Sequence, residues 1–324
     1  RRRHTRFKCD WSSDVCSSDL EGDDAGLVSD AHKSTFDAGH GVNFYCDMVP
    51  SFFMRLVTFS RPGAQPEAGV VQGDQVVGLG MSMIDVCAAD SIPAPKGPAY
   101  PLSEVKLLAP VPRPYKLICV GLNYRDHAAE SRSEIPTVPT IFSKFPNVVI
   151  APGDPIVLPK VSRKPDYEAE FAFVIGKGGR NIPAERAMEH VLGYTIVNDV
   201  SARDFQTATT QWLMGKTFDT FCPMGPWIVT KDEIADPHAL DISLEIGGET
   251  LQKSNTRELV FQIPRLVEYV SSAVTLEPGD VFATGTPGGV GFARKPPRWL
   301  KAGEEVIVRI EGIGELHNPV VAEQ

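Results

Sequence analysis

From Met54 onward the chain alternates short apolar runs with turn residues. "RLVTFS", "EAGVVQGD" and "QVVGLG" predict three short strands joined by Gly, Pro and Asp turns. A connection carrying seven prolines between Pro93 and Pro114 follows. It marks a boundary between a small N-terminal β unit, residues 54–112, and a main domain over residues 113–324. In that domain "KLICVG" and "EFAFVIG" read as buried strands. "PAERAMEHVLG" predicts a short helix, with Pro183 in its first turn and Gly193 just beyond its end. "YTIVND" is a further strand, and "DISLEIGGETLQKS" is a hairpin turning at Gly247-Gly248. "IPRLVEYVSS" is helical, because Ile263, Leu266, Val267 and Val270 recur at i, i+3, i+4 and i+7. "GDVFATG", "EEVIVRIEG" and "GELHNPVV" end the chain as strands. Strands outnumber helices and the two do not alternate regularly, which argues against a doubly wound or α/β-barrel architecture. The expectation is an α+β fold dominated by mixed sheets.

Residues 1–53 break the pattern. "RRRHTRFKCDWSSDVCSSDL" has the basic start of a signal peptide but no apolar stretch behind it. It resembles translated sequencing-adapter sequence. A natural start at Met54 or Met48 is expected, and residues 1–53 are expected to be a non-native or disordered extension that contributes nothing to a site. The whole chain has 324 residues, 42% of them hydrophobic, enough for a sizeable core. With 32 basic against 41 acidic residues its formal charge is −9, which argues against a general nucleic-acid binder. No apolar run reaches the length of a membrane span. Of the six cysteines, Cys9, Cys16 and Cys46 lie within residues 1–53; Cys87, Cys119 and Cys222 are widely spaced, show no metal-ligand pattern and fit a reducing cytosol, so a cytoplasmic location is expected.

Charged residues placed against this apolar background carry the candidate chemistry. Glu168 and Glu170 stand two apart at the mouth of the buried run from Phe171. In a strand they share a face, with a spacing of roughly 7 Å. "GYTIVND" delivers Asp199 to the end of a second buried strand. Three carboxylates on strand ends suit a hard divalent cation, Mg²⁺ or Mn²⁺; the same charges could instead guard a sheet edge against pairing. His127 and Glu130, three apart after the strand ending at Gly121, share one face of a helical turn. A His held by a carboxylate can act as general base toward water; a surface His beside an acid is the other reading. Lys216, between Gly215 and Thr217, could hold an anionic substrate or a developing enolate, or could simply extend from a loop. The Gly-rich "ATGTPGGVG" at 283–291, with Gly285 and Thr286, could bind a carboxylate or phosphate through backbone N–H groups and a hydroxyl. It lacks the lysine of a P-loop.

Taken in order, His127/Glu130, Glu168-x-Glu170, Asp199, "SARDFQ" at 201–206, Lys216 and "TGTPGGVG" resemble the fumarylacetoacetate hydrolase family. The resemblance runs from about Tyr115 to the C-terminus, and "KFPNVVIAPGDPIVLP" and "RKPPRWLKAGEEV" point to one branch of it. It implies a mixed β-sandwich roll, usually dimeric, with a small N-terminal extension. It implies Mg²⁺ or Mn²⁺ held by Glu168, Glu170 and Asp199, chelating the carboxylate and adjacent keto oxygen of a small 2-oxo acid as a Lewis acid. Lys216 would add positive charge, and Thr286 with the flanking Gly285 amide would hold the carboxylate. Arg203 and Gln206 would face the substrate, and His127, oriented by Glu130, would activate water. Asp126 matches an acidic position that ligates metal in some members. The implied activity is metal-dependent C–C hydrolysis of acylpyruvate or 1,3-dicarbonyl substrates through an enolate. The alternatives are decarboxylation, isomerisation or hydration of a 2-oxo diacid at the same site, or a catalytically silent metal- or metabolite-binding member.

Overall fold

The structure, a computed structural model, describes residues 54–324. The expectations for residues 1–53, including Cys9, Cys16 and Cys46, lie outside the described residues. Two mixed sheets and a helix build the core. The larger sheet has 12 strands. At its centre Ala169–Ile175 pairs antiparallel with Val191–Asn198 on one side and with Val281–Ala283 on the other. Val281–Ala283 then pairs parallel with Leu117–Gly121, and Thr140–Ser143 closes that edge. A five-stranded sheet runs in the order Glu249–Asn255, Asp241–Ile246, Glu305–Ile310, Gly314–Ala322, Ile156–Leu158.

Ala169–Ile175 is buried along its whole length because both faces of its sheet are covered. Ala169, Phe171, Phe173 and Ile175 point into a core shared with Ile242, Leu244, Val306 and Val308 of the smaller sheet. The helix Ile263–Ala273 adds Ile263, Leu266, Val267 and Val270 to that core, the four positions that its apolar period predicts. Ala172 and Val174 point the other way, into a second core with Leu56, Cys119, Val197 and Met224. Each such buried side chain contributes about 1.5–3 kcal/mol relative to exposure. This strand is therefore fixed from both sides, and its N-terminal end is where the acidic pair sits.

The hairpin turns as expected, with Ile246 paired to Glu249 and both Gly247 and Gly248 at positive φ. Two expectations change. Residues Ala184–His190 form a 3₁₀ helix rather than an α-helix, and its buried residues, Ala187 and His190, are spaced by three. Gly193 does not end that helix but lies inside strand Val191–Asn198. A Cβ there would come 2.2 Å from the carbonyl oxygen of Val229, so close strand contact requires the glycine.

The N-terminal strands extend the large sheet, since Arg55 and Leu56 pair with Val229 and Ile228. The proline-rich connection supplies two further strands, Ala99–Pro101 and Lys106–Leu108. A short helix, Met83–Ala88, escaped the periodicity argument because it is barely longer than one turn. Ser82 and Asp85 cap it reciprocally.

Candidate active site

The strand geometry brings the acids together. Glu168 and Glu170 share parity with Ala172 and Val174, so all project to one face. The ladder pairs Ala169 with Asn198. One step further along this register Asp199 lies opposite Glu168, and its N–H donates to the Glu168 carbonyl at 2.9 Å. Side-chain oxygens of Glu168, Glu170 and Asp199 all lie within 4.8 Å of one another, and all three residues are buried. They stand beside a cavity of about 480 Å³ that Glu168 and Glu170 line together with His127, Arg203, Gln206, Lys216 and Thr286.

Three cations surround these acids. Lys216 Nζ donates to Glu168 Oε2 and to Asp199 Oδ2, each at 2.7 Å. Lys144 pairs with the other oxygen of Asp199 and donates to the Val200 carbonyl at 3.0 Å. Arg203 Nη2 lies 2.6 Å from Glu168 Oε1, an ion pair whose angle falls outside hydrogen-bond geometry. Burial opposes ionisation of Glu168, but Arg203 and Lys216 outweigh it and hold the carboxyl down at about 2. Burial likewise opposes the charge on Lys216, but Asp199 and Glu168 overcome it, so the ammonium is held above its ordinary range.

Glu170 is different. Among the described residues it has no ion-pair partner; its Oε2 accepts from the N–H of Gly285 at 2.9 Å. Burial first, then the charges of Asp199 and Glu168, push its carboxyl well above the usual 4.5. A buried carboxylate without a counter-charge is unfavourable. A divalent cation on Glu168, Glu170 and Asp199 removes that penalty, and an all-oxygen donor set suits Mg²⁺ or Mn²⁺. The residues present therefore fit the ion that the sequence implies.

His127 lies on the helix Arg125–Ser131 and is buried at the cavity wall. Its Nδ1 stands 3.7 Å from Glu130 Oε2, beyond hydrogen-bond length, and has no other partner. Glu130 accepts instead from the N–H of Gly289 at 2.9 Å. Asp126 is outside the converging trio: it accepts from the N–H of Gly288 at 3.3 Å and from the Ser254 hydroxyl, tying this helix to the Gly-rich segment. The Gly-rich segment itself mainly supports the acidic strand. Gly285, at φ 97°, gives its N–H to Glu170. Thr286 lines the cavity, but its hydroxyl donates to the Ala169 carbonyl at 3.0 Å and accepts from Gln252 Nε2 at 2.8 Å. Gln206 accepts from Arg203 Nη1 at 2.8 Å, which orients the guanidinium.

Against known proteins, the sequence profile described as Fumarylacetoacetate (FAA) hydrolase C-terminal matches residues 116–321, most of the chain. The chain belongs to the fumarylacetoacetate hydrolase family. A second profile, Rv2993c-like, N-terminal, matches residues 54–110. An oxaloacetate tautomerase fahd2, mitochondrial, of Xenopus laevis is 53% identical over 221 residues, 68% of this chain and 69% of that protein. Fumarylacetoacetate hydrolase domain-containing protein 2 of Pongo abelii is 46% identical over 292 residues, 84% of this chain and 93% of its own. This is the branch that the motifs in the sequence indicate. The crystal structure of 5-carboxymethyl-2-hydroxymuconate delta-isomerase from Mycobacterium smegmatis is 40% identical, with a TM-score of 0.73 over 83% of this chain and 100% of that one.

Within this family site, the opposed shifts of the two glutamates give a pH prediction. Glu168 lies at about 2 against an ordinary 4.5, so its contribution to stability is fully present above the ordinary value and lost as pH falls toward 2. Glu170 is raised, so in metal-free protein it favours the folded state at acid pH and opposes it as pH rises through its own value. The melting temperature of metal-free protein should fall on acidification below 4.5, and Glu168→Gln should flatten that limb. A limb of unchanged slope in Glu168→Gln would remove this carboxylate from the account.

Proposed function

We propose that the chain is a Mg²⁺- or Mn²⁺-dependent enzyme that moves a proton between the keto and enol forms of a 2-oxo diacid of the oxaloacetate type. The observation carrying this reading is the convergence of Glu168, Glu170 and Asp199 beside Lys216, with Glu170 lacking a cation of its own. The names of the frog tautomerase and of the mycobacterial isomerase support it, since both describe proton relocation without bond hydrolysis. When bound, the ion polarises the 2-oxo carbonyl as a Lewis acid. The chain's own residues do the rest. Arg203 and Lys216 supply positive charge where negative charge develops. His127, whose ring lines the cavity, takes a proton from the carbon next to the carbonyl and returns it there or to the oxygen. Phe142, Trp212, Phe292 and Trp299 wall the cavity and limit water.

C–C hydrolysis of acylpyruvates is the second reading. It is favoured by Glu130 standing 3.7 Å from His127, a separation that a small shift on substrate binding would close to a hydrogen bond orienting an imidazole that activates water. Decarboxylation of oxaloacetate would use the same cation and Lys216 without a base. Assaying enolic oxaloacetate and acylpyruvates side by side separates these activities. His127→Ala should lose about 10²–10⁴-fold in the reaction that uses it as base. Its Mg²⁺ affinity should hold, because Glu168, Glu170 and Asp199, not His127, would hold the ion. Wild-type rates in every assay would exclude His127 from the chemistry.

The same proposal takes the protein to be a homodimer in a reducing compartment. Ile141 and Phe145, exposed at or just beyond the outermost strand Thr140–Ser143, offer apolar surface for a second copy. Cys87, Cys119 and Cys222 are buried free thiols, compatible with the cytoplasm or with the mitochondrial site named for the frog relative.

A further inference from the structure

Asp166 entered neither the sequence argument nor the chemistry above, yet its carboxylate is fully buried and collects four N–H donors. Oδ1 accepts from Gly291 at 2.8 Å and from Tyr167 at 2.9 Å. Oδ2 accepts from Phe292 at 3.0 Å and from Arg203 Nε at 2.9 Å. The donors come from three separated segments. Asp166 itself lies in the two-residue ladder Pro165–Asp166 with Ser201–Ala202, immediately before Arg203 and two residues ahead of Glu168.

What those donors hold is the wall of the cavity. Arg203 is fixed by Nε on Asp166 and by Nη1 on Gln206. Its Nη2 is buried against Glu168 Oε1, 2.6 Å away, but among the described residues it makes no hydrogen bond, so its N–H groups are aimed along the cavity wall. The Phe292 ring covers the guanidinium, 4.6 Å from Cζ to the ring centre, and its edge meets the His127 ring at 6.1 Å. Phe292 thus stands between Arg203 Nη2 and His127 Nδ1, two buried nitrogens in residues that line the same cavity, which face the carboxylates of Glu168 and Glu130 without hydrogen-bond geometry. Gly291 makes the attachment possible, because a Cβ there would lie 2.4 Å from Asp166 Oδ1 and 1.9 Å from the Arg298 carbonyl oxygen.

We infer that Asp166 is a positioning residue: one carboxylate aims Arg203 so that Nη2 anchors an anionic oxygen of the substrate, and pins Phe292 as the cover over that contact. The inference rests on reading the cavity as a 2-oxo acid site. A guanidinium presents five N–H groups in a fixed fork. Holding it by Nε and Nη1 leaves the Nη2 edge oriented, with little rotamer freedom to lose when the anion arrives. Asp166→Asn that keeps its oxygen on the Gly291 and Tyr167 amides turns its NH₂ group toward both Arg203 Nε and the Phe292 N–H, which share Oδ2, so both links are lost.

The probe is oxalate, a planar dianion that resembles an enolised 2-oxo acid, titrated calorimetrically into Mg²⁺-loaded protein. Asp166→Asn should weaken oxalate binding and raise KM for oxaloacetate by about 10–100-fold, the range for a hydrogen bond to a charged group. kcat should change less than KM, and Mg²⁺ binding should hold. Arg203→Lys should weaken oxalate similarly, and the double variant should be little worse than either single one, because both remove one contact. Should Asp166→Asn fail to fold, the arginine Nε–H signals of ¹⁵N-labelled wild-type protein give the same test. One signal, absent in Arg203→Lys, should be protected from exchange and should shift on adding oxalate. Wild-type protein that binds no oxalate overturns the reading of the cavity and the inference with it. Wild-type binding that is undiminished in Asp166→Asn, fully additive losses in the double variant, or an unprotected Arg203 Nε–H overturns the inference alone.

Discussion

Glu170→Gln should fold at least as well as the parent when metal-free, yet bind no Mg²⁺ and lose roughly 10³-fold or more in turnover. The two halves of that result share one cause. Glu170 is buried and, among the described residues, has no cationic partner, and its carboxyl is pushed well up by burial and by Asp199 and Glu168. Replacing it with a neutral amide of nearly the same shape removes an unfavourable buried charge. The same change deletes one of the three carboxylates proposed to hold the metal. A Lewis acid contributes several kcal/mol to a charged transition state, and each 1.36 kcal/mol is tenfold in rate. Melting curves with and without Mg²⁺ read both effects. The parent should gain stability from the ion by mass action, whereas Glu170→Gln should show the same melting temperature at every Mg²⁺ concentration. A variant that still responds to Mg²⁺ would show that Glu170 is not a ligand.

Lys216→Met should have the largest effect on the fold. The ammonium is almost fully buried and bridges Glu168 and Asp199 at 2.7 Å each. Removing one partner of a buried ion pair leaves an uncompensated charge and destabilises by about 3–5 kcal/mol. Arg203 still faces Glu168, and Lys144 still faces Asp199, so the loss should lie toward the lower end of that range. Mg²⁺ should restore part of it, because the ion supplies positive charge to the same oxygens. Urea unfolding of metal-free and Mg²⁺-loaded protein measures both quantities. Equal stability of Lys216→Met and the parent without metal would mean that the ammonium does not hold the acids together.

Much of the site was legible because it obeys strand parity. Glu168-x-Glu170 had to share a face, and Asp199 had to come at the end of a strand able to pair beside them. The hairpin at Gly247-Gly248 and the helix at Ile263–Ala273 were legible for similar reasons, since local turn chemistry and a 3.6-residue period dictate them. The rest depends on contacts between distant segments. Lys144 reaches Asp199 across 55 positions and Gln252 reaches Ala169 across 83, and no spacing rule marks either. Asp166 carries no signal in the sequence, because its donors at Gly291 and Phe292 lie 125 and 126 positions away. Gly193 looked like a helix stop because sequence does not reveal how closely Val229 approaches. Thr286 looked like an anion ligand, but its hydroxyl is shared between Ala169 and Gln252.

A cation held by Glu168, Glu170 and Asp199 would enable the chain to relocate a proton in a 2-oxo diacid. The direct measurement is the rate at which enolic oxaloacetate becomes the keto form, followed by loss of enol absorbance. It should be recorded as Mg²⁺ is titrated into metal-free protein and then removed with a chelator, against the same additions without protein. The account predicts a rate that rises above the protein-free blank in step with Mg²⁺ occupancy, returns to the blank on chelation, and never rises in Glu170→Gln. A rate equal to the blank at every Mg²⁺ concentration, or one that chelation leaves untouched, would contradict it.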